Sequence, residues 1–222
     1  MGCRGPLVQI QSPRPILLFT APLCHAWETH RDLKPLTQAV SVFASGAADR
    51  HWVEKSRIMM GWAMSLQGNT DDGIDAILEG LEGLGGNPLD AGLAHSRYLI
   101  LLAESYLADD QIETASDAVA RAWQRLESNG EYLWESDLCI VEGEVLRATG
   151  DWSGANEKFQ RALFVGGNQG AKLMELRAAS RLAIYSDQNE GGQSVRTSLT
   201  EIYGWFTEGI QTQDLREAQS LF

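Results

Sequence analysis

Leu138–Leu163, LCIVEGEVLRATGDWSGANEKFQRAL, reads as one complete helix-turn-helix unit. Gly143 and Leu146 share one face of a first helix, and Gly150-Asp151 ends that helix and starts the next. Ala155, Phe159 and Ala162 then recur at i, i+4 and i+7 on the second helix. The spacing predicts a packing unit in which Gly143 and Ala155 withhold bulk where the helices cross, while Phe159 fills the space between this pair and its neighbour.

The same phase recurs on both sides of the unit. Arg50–Gln67 and Asp71–Leu84 form a pair with Gly61 and Met64 in the first helix, Gly68-Asn69 as the break, and Gly73, Ile77 and Gly80 in the second. Gly80, Gly83, Gly85 and Gly86 are expected to weaken the end of that second helix. Leu89–Ala108 and Ile112–Ser128 follow, with Pro88 before them, Asp109-Asp110 between them and the stop signal Asn129-Gly130 after them. Glu131–Thr149 and Trp152–Val165 are the organising pair, and Ala171–Ser186 with Gln193–Phe206 is a less regular one. Gly61, Ala103, Gly143 and Leu182 are separated by 42, 40 and 39 residues. A period of this size indicates a stacked helical array in which each pair buries its apolar face against its neighbours.

The flanks differ from this body. Residues 1–25 hold four of the six prolines and show no helical period, so an irregular or disordered segment is expected there. Glu28–Ala44 can form a lone helix with Leu33, Leu36, Val40 and Phe43 on one side. At the other end Thr212 can cap a last helix, Gln213–Phe222, with Asp214 in its first turn. The expected organisation is an N-terminal segment 1–25, a repeat domain 26–211 and a capping helix 212–222.

Composition narrows the function. An apolar share of 44% and a charged share of 22% are those of a soluble globular protein. Thirty acidic against eighteen basic side chains give a net charge of −12, which repels phosphate backbones and favours a basic partner over nucleic acid. Arg4 and Arg14 precede the apolar run Ile16–Leu23, but Pro13, Pro15 and Pro22 interrupt a stretch far short of the roughly 20 residues of a membrane span. No membrane association is expected. Cys3, Cys24 and Cys139 lack CxxC spacing, which points to a reducing cytoplasm, with Cys139 a buried thiol.

Candidate chemistry is sparse. Asp71, Asp72 and Asp75 form a DDxxD of the kind that holds magnesium diphosphate in helical synthases, with Asp109, Asp110 and Glu113 as a conceivable partner set. The simpler account places Asp71 and Asp72 in the first turn of a helix, where the dipole favours acids. His25, His30, His51 and His95 do not pair at metal spacing, and no Ser or Cys has an activating neighbour. No catalytic, cofactor or metal residue is therefore expected. Trp62, Trp123, Trp134, Trp152 and Trp205 lie in or beside apolar stripes and are expected to pack, with Trp62 turned toward an inner surface.

The small and aromatic positions Gly143, Leu146, Gly150, Ala155, Phe159 and Ala162, repeated as Ala103, Tyr106, Ala115, Val119 and Ala122, resemble the tetratricopeptide repeat. The period exceeds the usual 34 of that repeat, and proline at the repeat end is mostly absent. More narrowly, GWAMSLQGNTDDGIDAILEGLEG, LLAESY within Tyr98–Tyr106, EGEVLRATGDWSGANEKFQRAL and IYGWFTEGIQTQDLREAQSL are similar to the C-terminal repeat region of large bacterial signalling ATPases. That resemblance covers about residues 28–222. In that family a class III adenylate or guanylate cyclase domain, or a LuxR-type DNA-binding domain, is joined to a P-loop ATPase and then to the repeats. This sequence carries no GxxxxGK[ST], no cyclase segment and no basic helix-turn-helix, so nucleotide chemistry transfers to none of its residues.

The resemblance implies an all-α, right-handed tetratricopeptide-like solenoid of about four helix pairs, acting as a non-catalytic protein-interaction scaffold in bacterial signalling or transcriptional regulation. It also implies the C-terminal piece of a cyclase/ATPase regulator. The first helices of such arrays line a concave groove that takes a protein or peptide ligand. Carrying over the phase gives Lys55, Ile58 and Trp62, then Arg97, Ile100 and Glu104, then Asp137, Ile140, Glu144 and Arg147. Two alternatives are a homodimerisation module pairing through the apolar N-terminal flank, and the magnesium-dependent synthase.

Overall fold

In the computed structural model residues 50–84, 95–186 and 192–222 are described, and among them the protein is all-helical, with no strand. The lone helix expected over 28–44, the irregular segment 1–25 and the dimerising flank lie outside the described residues.

Helices α1 (Arg50–Leu66) and α2 (Thr70–Gly83) form the first pair, and α3 (His95–Ala108) and α4 (Ile112–Asn129) the second. A 3-10 turn, Tyr132–Trp134, leads into α5 (Glu135–Ala148), which pairs with α6 (Trp152–Gln169). Helices α7 (Lys172–Ser186) and α8 (Gly192–Tyr203) follow, and α9 (Gln213–Gln219) ends the chain. The two helices of each pair pack together, and each second helix also meets the first helix of the next pair. The first helices touch in succession, α1 to α3 to α5 to α7, and α9 packs on α7 and α8.

One turn geometry, used five times among the described residues, sets this arrangement. After the first helices, Gly68, Asp110 and Gly150 have φ of 92°, 56° and 86°, and after α4 and α6, Gly130 and Gly170 have φ of 70° and 67°. The next residue in each case closes a six-residue ring. Asn69, Gln111 and Asp151 donate their N–H to the carbonyls of Met64, Tyr106 and Leu146 at 3.1, 2.9 and 2.9 Å. Glu131 and Ala171 do the same to Leu126 and Gly166 at 3.0 and 2.9 Å. These bonds satisfy carbonyls that a helix end leaves open. Asp110 is the one non-glycine among the five, and left-handed backbone costs an L-residue roughly 1 kcal/mol or more. Asp110→Gly should therefore raise the urea midpoint slightly, whereas Gly150→Ala should lower stability by about 1 kcal/mol.

Packing between partners relies on withheld bulk. A Cβ on Gly61 would lie 2.4 Å from the carbonyl oxygen of Gly73, and one on Gly73 would lie 2.6 Å from that of Gly61, so α1 and α2 cross backbone on backbone. A Cβ on Gly143 would lie 2.5 Å from Phe159 Cε1. Phe159 is fully buried, stacks on Tyr185 of α7 at 5.6 Å between ring centroids, and clusters with Leu182 and Ala155. It fills the space between one pair and the next, as its spacing predicts. Cys139 is buried beside Ala162 and Ala178, and burial pushes its thiol up to about 12.

Several expectations need correction. Helix α2 runs to Gly83, and Gly80 and Gly83 let Ile58 and Glu54 of α1 come close. Helix α6 runs past Val165 through Gly166 and Gly167 to Gln169, since Gly170 supplies the left-handed stop. Glu131 is not helical: its carboxylate accepts the backbone N–H and hydroxyl of Ser96, capping the start of α3 from the neighbouring pair. Trp62 is buried, and Trp123 and Trp134 pack against the core, but Trp152 and Trp205 are 57% and 61% exposed. The last helix ends at Gln219. No described helix is long and apolar enough to cross a membrane.

Candidate functional site

Because the first helices touch in succession, their inner faces form one surface, and a cleft of about 590 Å³ opens along it. Helix α1 contributes Trp62 and Leu66, α3 contributes Glu104 and Leu107, and α5 contributes Val141, Glu144 and Arg147. Arg177, Arg181, Ile184 and Tyr185 come from α7, and Asp214 and Glu217 from α9 close the far side.

Of the ten residues expected to line a groove, Trp62, Glu104, Glu144 and Arg147 come together here. The other six do not. Ile58 and Ile100 are fully buried in the main core, and Ile140, 8% exposed, packs with Cys139 and Ala178. Lys55 stands over the Trp52 ring at 5.1 Å, away from the cleft. Arg97 and Asp137 are 4% and 6% exposed and form an ion pair at 3.0 Å beneath the surface. The physical reason is that each first helix is enclosed on two sides, by its partner and by neighbouring first helices. The open arc is therefore narrower than one face of a free helix.

The polar contacts of the cleft tie the first pair to the second, and the third pair to the fourth and to α9. Trp62 donates its indole N–H to Glu104 Oε2 at 2.6 Å. Arg177 is bidentate on Asp214, with Nε to Oδ1 and Nη2 to Oδ2 both 2.9 Å. Arg181 donates to Glu217 through Nη1, and its Nε lies 2.5 Å from Glu144 Oε1, close enough for an ion pair but off the hydrogen-bond direction. Arg147 Nε donates to Glu144 Oε2 at 2.8 Å, and its guanidinium stands over the Tyr185 ring at 5.6 Å. The Tyr185 hydroxyl donates to Glu144 at 3.4 Å, and burial, followed by the charge of Glu144, pushes it up to about 12.

Burial opposes the charge of Arg177, but Asp214, Asp137 and Glu104 together outweigh it and raise its pKa. For Glu104 burial wins: its pKa is raised although Arg97 and Arg177 pull it down. The folded state thus holds this proton more tightly than the unfolded chain, and ionisation of Glu104 opposes folding as pH rises above its ordinary 4.5. Glu104→Gln, which keeps an acceptor for Trp62, should therefore be more stable than the parent at pH 7. The difference should fade as the pH falls below about 4.5, where the parent is protonated in both states. Thermal unfolding of both proteins across that range checks it.

Arg177, Arg181, Tyr185, Asp214 and Glu217 were missed from sequence, although a signal exists. Arg97, Asp137 and Arg177 are spaced 40 residues apart, so one more step of the period would have reached the α7 arginines. Elsewhere, Thr70 donates to Asp109 at 2.5 Å, which brings the acidic turn of α2 beside that of the next pair. Even so, no described group of three or more His, Cys, Asp or Glu is placed to hold a metal ion. Asp71 and Asp72 sit in the first turn of α2 and, like Asp75, are exposed, while Asp72 accepts from Asn69 at 3.0 Å. No protein-family model matches the chain, and no curated protein matches it either.

Proposed function

We propose that this chain is a non-catalytic interaction scaffold whose cleft holds a segment of a partner protein. In this reading the helix pairs form a right-handed solenoid of the tetratricopeptide kind. Its setting is bacterial signalling or transcriptional regulation, as the repeat arm of a cyclase-type or LuxR-type P-loop ATPase. One observation supports it above the others: the cleft draws lining residues from the first helix of every pair, α1, α3, α5 and α7, as a groove made by stacking repeats does. A reaction site needs a nucleophile or base aimed at open space. The arginines here are held by carboxylates, an arrangement suited to binding.

Ala148 is an exposed cleft-lining residue in the last turn of α5, and Ala148→Trp obstructs the cleft without touching the core. Random dodecapeptides displayed on phage and selected on the full chain should include binders that Ala148→Trp weakens at least tenfold. If every binder tolerates that substitution, the cleft is not the interaction surface and the proposal falls.

A further inference from the structure

Four of the five carboxylates of the cleft differ from the fifth in a way that bears on the partner, an inference that rests on the cleft being the binding surface. The lining holds five carboxylates against three guanidiniums. The guanidiniums of Arg147, Arg177 and Arg181 are taken by Glu144, Asp214 and Glu217. Asp110 is exposed at the rim. Glu104 is half-buried on the cleft wall, between Trp62 and Leu107, and none of the ion pairs among the described residues includes it. Its one hydrogen bond comes from the Trp62 indole at 2.6 Å and uses Oε2. No hydrogen bond among the described residues uses Oε1, and the residue lines the cleft. The nearest sources of positive field, Arg97 and Arg177, are each held by another carboxylate, Asp137 and Asp214.

A carboxylate set in an apolar wall, with no cation at contact distance, is matched by a positive side chain with an aliphatic stem. Such a stem lies along apolar surface while its head reaches the charge. Leu66, Leu107 and Ile112 line the same cleft and supply apolar surface in it. The net charge of −12 draws a partner of the same sign as that head toward the chain. We propose that Glu104 is the anchor for a lysine or arginine of the partner, and that the cleft therefore selects a basic peptide segment over an acidic or neutral one.

Phage-selected dodecapeptides that depend on the cleft, as defined by Ala148→Trp, would be synthesised and their affinities measured by fluorescence anisotropy. The proteins would be the full chain, Glu104→Gln, and Glu127→Gln, an exposed acid on α4 outside the cleft. The expected result is that these peptides carry Lys or Arg, lose about tenfold affinity with Glu104→Gln, and are unaffected by Glu127→Gln. Thermal unfolding of Glu104→Gln confirms that the loss does not come from misfolding. Cleft-dependent peptides without basic residues, or equal losses in the two variants, would overturn the anchor while leaving the cleft as a binding surface. If no peptide depends on the cleft, the underlying functional reading fails and the anchor fails with it.

Discussion

Replacing Arg97 by methionine should lower stability by about 3–5 kcal/mol, because it leaves a carboxylate beneath the surface without its closest cation. Arg97 and Asp137 are 4% and 6% exposed, their charged atoms are 3.0 Å apart, and the guanidinium also stands over the Trp134 ring at 5.3 Å. Burial lowers the pKa of Arg97 even with Asp137 beside it, so the arginine is held in its charged form at a cost. The double variant Arg97→Met with Asp137→Leu removes both charges and keeps similar volume. It should recover most of the loss, since replacing a buried ion pair by apolar side chains is often neutral or better. Urea unfolding of the wild type, both single variants and the double variant closes the cycle. A double variant as weak as Arg97→Met alone would show that the pair, and not the stranded charge, carries the energy.

Phe159→Ala should cost a similar amount, about 3–5 kcal/mol, through lost burial and the cavity left behind. The ring is fully buried and touches three helices: Gly143 on α5 faces its edge, Ala155 lies on its own helix, and Tyr185 on α7 stacks on it. Gly143→Ala alone should cost about 1–3 kcal/mol, since its new methyl would meet the ring at 2.5 Å. With Phe159 already cut to alanine, the same methyl enters vacated space and should be neutral or stabilising. The two changes are therefore expected to be strongly non-additive. Simple additivity in denaturant unfolding would mean that the ring and the glycine do not share one site.

The helical class, the pairing and most helix limits were legible in the sequence because their causes are local. Gly68, Gly130 and Gly150 mark turns that need left-handed backbone, and Gly143 opposite Phe159 records a crossing in two residue choices. From sequence, α6 is expected to end at Val165, but the helix runs on through Gly166 and Gly167, and Glu175 and Ser136 come near Gly166. The site was half legible. Trp62, Glu104, Glu144 and Arg147 followed from phase, but Ile58 and Ile100 lie one step around the helix and face inward. That step depends on how closely neighbouring first helices approach, which no single helix encodes. The contribution of α9 was not legible either, because Asp214 meets Arg177 across 37 residues of chain.

The polar ties between pairs span 35 residues from Ser96 to Glu131, 40 from Arg97 to Asp137, 42 from Trp62 to Glu104 and 36 from Arg181 to Glu217. Each reaches only the adjacent pair or, for Arg181, the terminal α9, and none of them fastens the first pair to the last. For the solenoid proposed above, force on its ends is expected to open one link at a time rather than all at once, in the manner of a soft spring whose coils let go singly and catch again when the tension drops.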